Sequence, residues 1–410
     1  MNKQLLPAYL LTFVNVLGFT ILMPILPFVV EDMGAEEWVY GLLLSVYAAF
    51  QFIGAPYLGS LSDMNGRKPI LLISQAGTLL SWLVFLLALL LPEKNVLGYA
   101  LPLWIIALSR ILDGLTGGNT SVANAYVADI TTREQKAYIF GYLGGIAGLG
   151  MIIGPGLGGL AASSSLGYSG TILLATGIST LTLLAIWLWL KESHPPEKRA
   201  EKHKQNVLMS LFLTKRIREA NPDAVIKTIF VIKFFFSIMM ACYVGTIALF
   251  IIDLFEFNAQ ELGIFMLSVG AFLAFNQAFM SKLFIKKFGE YRTLVIGLVL
   301  TVCGLFCITI TNNLWAYLGF YYVMNLGLAL CFPTFNALIS IHADPEHQGE
   351  IMGISESINS FAMAAFPILA AWAYSHLGFE LYYIIAALPF IGLIIALIGI
   401  RRLGKGILED

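Results

Sequence analysis

The chain has 410 residues, 58% of them hydrophobic and 12% charged, with a net charge of -1 and a mean hydropathy of +0.82. A soluble fold cannot keep that much apolar surface from water, so the composition excludes a soluble globular protein and reads as an all-α integral membrane protein. The near-zero net charge supplies no basic field, and no nucleic-acid partner is expected.

Runs of about twenty apolar residues between polar breaks predict twelve membrane spans. In chain order they cover 7–30, 39–60, 70–91, 98–128, 137–162, 169–190, 224–252, 261–284, 293–311, 315–341, 351–375 and 380–400. The first run carries no small-residue cleavage site at its end and reads as a retained span rather than a signal peptide. Cys242, Cys303, Cys307 and Cys331 all fall inside apolar runs without a metal-ligand spacing, and read as buried free thiols. The only long polar break, 191–223, carries eight Lys or Arg. It reads as a solvated linker between two six-helix bundles, 1–190 and 224–410. If the N-terminus is cytoplasmic, twenty of the 24 Lys and Arg fall in cytoplasmic segments and only Lys94 in the opposite loops. The positive-inside rule then places both termini and the linker in the cytoplasm of a cell, here expected to be at an inner membrane.

The loop between the second and third spans is unusually polar. "GSLSDMNGRKPILL", residues 59–72, holds one acid, two bases and two glycines. Gly59 is expected to let two helices approach and Gly66 to permit a tight turn, with Asp63, Arg67 and Lys68 as either loop charges or a built motif. "KLFIKKFGEYRT", residues 282–293, repeats the pattern weakly after the eighth span, with Lys286 to Gly289 spaced like Asp63 to Gly66. Repeated halves around a midplane site are a transporter signature, because one bundle can rock against the other.

Further motifs follow. The first span has "LGFTILMPILP" with Pro24 and Pro27; the fourth has "RILDGLTGG" with Arg110, Gly114 and Gly117, running into "AYVADIT" and Asp129. The fifth has "GMIIGPGLGG", with Gly150, Gly154, Pro155, Gly158 and Gly159. Together with the 59–72 hairpin, whose one departure is Met64 for the customary Arg, these stretches resemble the major facilitator superfamily. Within it they are most similar to the twelve-helix drug:proton antiporters of the tetracycline-efflux type. The resemblance is ordered through residues 10–195 and thins beyond. It implies the major facilitator fold, with Asp63, Arg67 and Asp129 as a charge relay in which Asp63 caps the helix beginning near Gly349. An acid at a helix N-terminus gains roughly 0.3–1 kcal/mol, enough to bias a gate without freezing it. Gly59, Gly66 and Lys68 complete the gating hairpin. Gly141, Gly144, Gly145, Gly148, Gly150 and Gly154 leave one face of the fifth span nearly bare, which invites close packing against a helix of the other half.

Each ionised group near the bilayer centre costs on the order of 3 kcal/mol and tends to have a task. Arg110 and Asp113 stand three residues apart on one helix face, either as a neutralised pair or as a proton carrier whose carboxyl alternates between states. Lys233 and Glu356 carry the same ambiguity and are candidates to pair across the C-terminal half. The antiporters that the chain resembles carry an acid in the first span, where Asn15 stands here, and one in the ninth, where this chain has none. If protons are carried, Asp113 and Glu356 must replace those acids. Among the buried amides, Asn15, Gln51, Asn119 and Asn325 are candidate substrate contacts, and Phe234 a candidate stacking wall.

The sequence has no H-E-x-x-H or G-x-S-x-G and no nucleotide-binding loop, so neither an intramembrane enzyme nor direct ATP drive is expected. No cofactor or metal is expected. The reading is a monomeric secondary transporter in a lipid bilayer that exports a small amphipathic compound in exchange for protons. The alternative on the same fold is a proton-coupled importer or facilitator of a metabolite, lipid or siderophore.

Overall fold

The computed structural model describes residues 5–403 other than 93, 132, 196–216, 219–221 and 344–347, so most bases of the linker lie outside the described residues. Helix follows helix: α1 (Leu6–Thr20), α2 (Leu26–Asp32), α3 (Glu37–Asn65), α4 (Arg67–Leu90), α5 (Leu101–Gly117), α6 (Asn119–Asp129), α7 (Arg133–Ala162) and α8 (Tyr168–Trp189). After the linker come α9 (Ala224–Phe255), α10 (Ala259–Phe275), a π-helical turn at Asn276–Met280, α11 (Ser281–Phe288), α12 (Glu290–Cys307), α13 (Leu314–His342), α14 (Gln348–Leu377) and α15 (Leu381–Leu403). The only sheet among the described residues is a two-stranded ribbon, Asn95–Val96 against Tyr99–Ala100, in the loop between α4 and α5.

Nine helical stretches among the described residues are long and apolar enough to cross a membrane, and one of them, 351–399, contains two helices. The two expected spans left over are the first and the fourth, each broken in the middle. Pro24 and Pro27 lie at the break between α1 and α2, where a missing amide proton and a ring that clashes with the preceding turn end the first helix. Gly118 separates α5 from α6, and a Cβ there would meet the backbone of Gly54 and Ala55 on α3. Gly54 and Gly114 likewise sit against backbone of the opposite helix, at Leu115 and Tyr47. With no side chains between them, α3 and the α5–α6 pair cross at backbone contact. The helix order is consistent with twelve spans.

The chain divides into two compact units, Met1–Leu211 with Phe257–Leu267, and Phe212–Glu256 with Ser268–Asp410. The hairpin repeat is visible in each. Gly66, at φ 98°, ends α3 and starts α4, and Gly289, at φ 76°, ends α11 and starts α12. Both positive φ values are conformations that a side chain resists, so glycine at the corresponding step of each half is a backbone requirement. Gly59 is different. A Cβ there would meet nothing closer than Ser121 Oγ at 3.9 Å, so the close approach expected at Gly59 is not made. The backbone crossing falls instead at Gly54, further up α3. The four cysteines are free, but only Cys331 is fully buried, and Cys303 is exposed.

The glycines of α7 do not act as one face. Gly150, Gly154 and Gly158 pack on α1 and the turn after it, inside their own unit; a Cβ on them would run into Phe13 O, Thr20 and Ile21 O respectively. Thr20 reinforces the seam by donating to Gly150 O at 3.1 Å. Gly159 meets Ala259 O and Gly263 instead, on the segment 257–267 that groups with this unit. Gly144, Gly145 and Gly148 have nothing within 4 Å of an added Cβ among the described residues. The expectation of a single bare face turned to the other half is therefore corrected. Six glycines over fourteen residues of a 3.6-residue helix point in several directions, and their spacing selects different neighbours for each.

Candidate functional site

Among the described residues, the candidate residues gather in three constellations. The first is at the hairpin. Arg67 is buried at the start of α4 and bridges two acids, Nη1 to Asp63 Oδ1 at 2.5 Å and Nε to Asp129 Oδ2 at 3.0 Å, while Nη1 also donates to Ser62 Oγ at 2.6 Å. Ser62 Oγ in turn donates to Gly59 O. The side chains around Gly349, where the helix that Asp63 is expected to cap begins, lie outside the described residues.

Sequence reasoning missed the third acid of this network. Glu192, two residues past the sixth span, accepts from the backbone N–H of Arg67 at 2.8 Å and of Lys68 at 3.1 Å. It thereby satisfies two of the unpaired amides of α4 and places its charge on the helix dipole. Around it, Lys68 Nζ donates to Trp187 O, and Ser193 Oγ donates to Asp129 Oδ2. The start of the linker is thus stitched to the hairpin. The signal was the acid in "LKESH", hidden among the linker's many bases. Replacing Glu192 by Ala is expected to cost about 1 kcal/mol and to speed trypsin cleavage after Lys191, with Glu192→Asp intermediate; digestion time courses of the three proteins check this.

The second constellation is in the middle of the first unit. Arg110 and Asp113, one turn apart on α5, are both buried, with Nη1 to Oδ2 at 3.2 Å. The guanidinium lies over Trp82 at 5.1 Å and Phe85 at 5.4 Å from the ring centroids, and Nη2 donates to Ser109 Oγ. Arg110 Nε has no acceptor among the described residues. A cation held by two ring faces and a single carboxylate has little else to compensate it, so the protonation state of Asp113 decides the charge of the whole pocket.

Below this pair, the break between α5 and α6 gathers the amides. Asn15 of α1 donates to Asn119 Oδ1 through a short hydrogen bond and reaches Thr120 Oγ1 at 3.4 Å. Gln51 of α3 donates to Tyr47 Oη at 3.2 Å and to Gly117 O at 3.4 Å. Tyr47 stacks on Phe19 at 5.3 Å, and both rings were missed in the sequence because they are ordinary members of apolar runs. Asn119 is fully buried, and its Nδ2 has no acceptor among the described residues. Three of the five candidate substrate contacts, Asn15, Gln51 and Asn119, therefore meet at one place with an aromatic pair beside them and a donor left over.

The third constellation is in the second unit. Lys233 on α9 is buried and donates to Ser355 Oγ of α14 at 2.5 Å. It makes no ion pair with Glu356, whose carboxylate is exposed and accepts from Asn359 at 3.3 Å. Within the C-terminal half the hydroxyl takes the bonding position because Ser355 occupies the face of α14 turned to α9, while Glu356, the next residue, points some 100° away and acts on Lys233 only at longer range. Asn325 is committed elsewhere: its amide donates to Val269 O and its carbonyl accepts from Asn276 at the π-helical turn, so it ties two helices together. Phe234 packs edge-on to Phe235 and against a small apolar cluster with Ile238, Ala241 and Ala362.

Comparison with known proteins adds to this geometry. The family model for the Major Facilitator Superfamily matches residues 8–366 and 229–406. The tetracycline resistance protein, class H, of Pasteurella multocida is 28% identical over 384 residues, covering 92% of this chain and 90% of that protein. The quinolone resistance protein NorA of Staphylococcus aureus (strain COL) is 27% identical over 404 residues, 97% of each chain. Among solved structures, the human organic anion transporter MFSD10 (TETRAN) superposes with a TM-score of 0.71 at 22% identity, covering 96% of this chain and 99% of that one. A peptide transporter POT in complex with alafosfalin gives 0.76 at 14%, covering 98% and 95%. These two establish the shared fold.

Proposed function

Because the chain belongs to the major facilitator superfamily, we propose that it is a monomeric secondary transporter that exports a small amphipathic compound in exchange for protons by alternating access. Its bundles 1–190 and 224–410 would rock about the linker 191–223, in an inner membrane with both termini in the cytoplasm. The observation that carries the reading is the buried Arg110–Asp113 pair, standing one to two helical turns from an amide cluster with an open donor. A proton carrier and a polar contact on one broken helix can be coupled through that helix. Full-length similarity to two drug-resistance proteins favours export over import.

In this reading Asp113 takes and releases the proton with Arg110 as its ion-pair partner, and Glu356 and Lys233 are the corresponding charged residues of the second unit. Asn15, Gln51 and Asn119, with Tyr47 and Phe19, contact the substrate, and Phe234 and Asn325 shape the opposite bundle. Asp63, Arg67, Lys68, Asp129 and Gly66 hold the cytoplasmic gate, and the Gly150, Gly154, Pro155, Gly158 and Gly159 helix gives the packing on which it moves. The test is purified protein in liposomes with an imposed pH gradient, a trapped pH dye and a panel of amphipathic drugs. Addition of a substrate is expected to release protons down the gradient. Substrate movement with no proton signal would replace antiport by facilitated diffusion or by another coupling ion.

A further inference from the structure

Lys233 is 8% exposed, on a helix that the second unit largely encloses, and the only hydrogen bond its ammonium makes among the described residues is to the Ser355 hydroxyl. No carboxylate lies within 4.0 Å of it among the described residues. An ammonium taken out of water needs a counter-charge, and a neutral hydroxyl does not supply one. Ser355 is itself 1% exposed; its oxygen accepts from Lys233, and its own proton finds no acceptor among the described residues. Glu356, the next residue of α14, acts on the ammonium only from beyond bonding distance, so ammonium and hydroxyl present uncommitted donors side by side with no carboxylate bonded to them.

What surrounds the donors is apolar. One turn along α9, Phe236 packs on Phe332 at 5.5 Å and Phe335 at 5.2 Å. Two turns along the same pair of helices lies the buried cluster of Ile238, Ala241 and Ala362, over which the partly buried Phe234, Met363 and Phe366 supply the accessible apolar strip. From Ser355 to Ala362 is seven residues, about 10 Å of helix. A charged head with an apolar strip of that length beside it matches a molecule with an anionic group at one end of a hydrophobic or aromatic body.

Resting on the transporter reading above, we infer that Lys233 and Ser355 form the head-group anchor of an organic-anion site in the second unit, so that the exported amphipath is a carboxylate, sulfonate or phosphate. Lys233 is then a substrate ligand rather than a member of the proton relay, and Glu356, turned away from it, is left free of a fixed salt bridge.

The experiment compares two probes that differ only in charge, dansylglycine and its neutral amide, dansylglycinamide, bound to full-length protein in nanodiscs and read by dansyl emission. Wild type is expected to hold the carboxylate at least about tenfold tighter than the amide. Lys233→Met brings the carboxylate down to the affinity of the amide, Lys233→Arg keeps the preference, and Ser355→Ala lowers it several-fold. Equal or absent binding of the carboxylate by wild type, or a preference that survives Lys233→Met, overturns the assignment. If Lys233→Met does not fold, Ser355→Ala carries the test, and an unchanged preference there overturns it. Flux of both probes in liposomes separates the two readings. A carboxylate preference with no gradient-driven flux of either probe would overturn transport and leave the anion site standing; gradient-driven flux with equal affinities would do the reverse.

Discussion

Replacing Arg110 and Asp113 together by apolar residues of similar bulk, Arg110→Met with Asp113→Leu, is expected to leave the protein folded and to abolish substrate-driven proton movement. The reasoning turns on what each kind of variant removes. Asp113→Asn alone leaves the guanidinium between Trp82 and Phe85 without its carboxylate, and an uncompensated buried charge costs about 3–5 kcal/mol. A loss of transport in that variant would follow from misfolding as readily as from lost coupling. The double variant removes both charges and both desolvation costs, and replacement of a buried pair by well-packed apolar groups is often neutral or stabilising. Thermal unfolding in detergent should therefore stay near that of wild type, while the pH-dye signal in liposomes falls to the leak of protein-free vesicles. Wild-type proton exchange in the folded double variant would reduce the pair to a structural element and move the proton to another carboxylate.

The same contrast explains what was legible in the sequence. The Arg110–Asp113 contact was readable because both residues are on one helix, and three residues along a helix fixes them on one face whatever the helix packs against. The hairpin was readable because its backbone requirement is local: a tight turn between two helices needs a positive φ, and Gly66 and Gly289 supply it in matching places. Contacts between helices were another matter, since each depends on how a helix is rotated about its axis. Lys233 and Glu356 are candidates to pair by sequence, and one step of 100° along α14 puts Ser355 at bonding distance instead. Asn325 looked like a substrate contact by polarity alone and is spent on Val269 and Asn276. Asn15, Gln51 and Asn119 come from three separate spans and converge at the break before α6. Nothing in their spacing encodes that convergence; Gly54, Gly114 and Gly118 produce it by letting the helix backbones touch. Glu192 was hidden for the opposite reason, because a residue bonding to backbone amides leaves no pattern in side-chain types.

The glycines of α7 offer the second large effect, and it divides one motif into two halves. Gly158→Val is expected to destabilise the protein by about 3 kcal/mol or more, seen as a lower thermal midpoint and poor yield, whereas Gly148→Val should change little. A Cβ at 158 would fall on the carbonyl oxygen of Ile21, a backbone atom at the break after α1 that cannot swing aside. Gly158 O is also held by Thr171 Oγ1 at 2.8 Å, so α7 cannot shift to relieve the clash without losing a buried hydrogen bond. At 148 there is nothing within 4 Å of a Cβ, and a valine adds only the modest loss of χ1 freedom that a branched side chain suffers in a helix. The intermediate case is Gly159, whose neighbours Ala259 O and Gly263 belong to the one segment beyond the linker that groups with this unit. A Cβ at 159 would fall 2.5 Å from Ala259 O, also a backbone atom, so Gly159→Ala is expected to lower the thermal midpoint too, by less than the larger Gly158→Val. If α7 slides on that segment during transport, flux falls further than the midpoint accounts for, and measuring both quantities on the three variants separates the glycines that build the bundle from the one on which it moves. Equal midpoints for Gly158→Val and Gly148→Val would show that the seam with α1 is not what the motif's spacing serves.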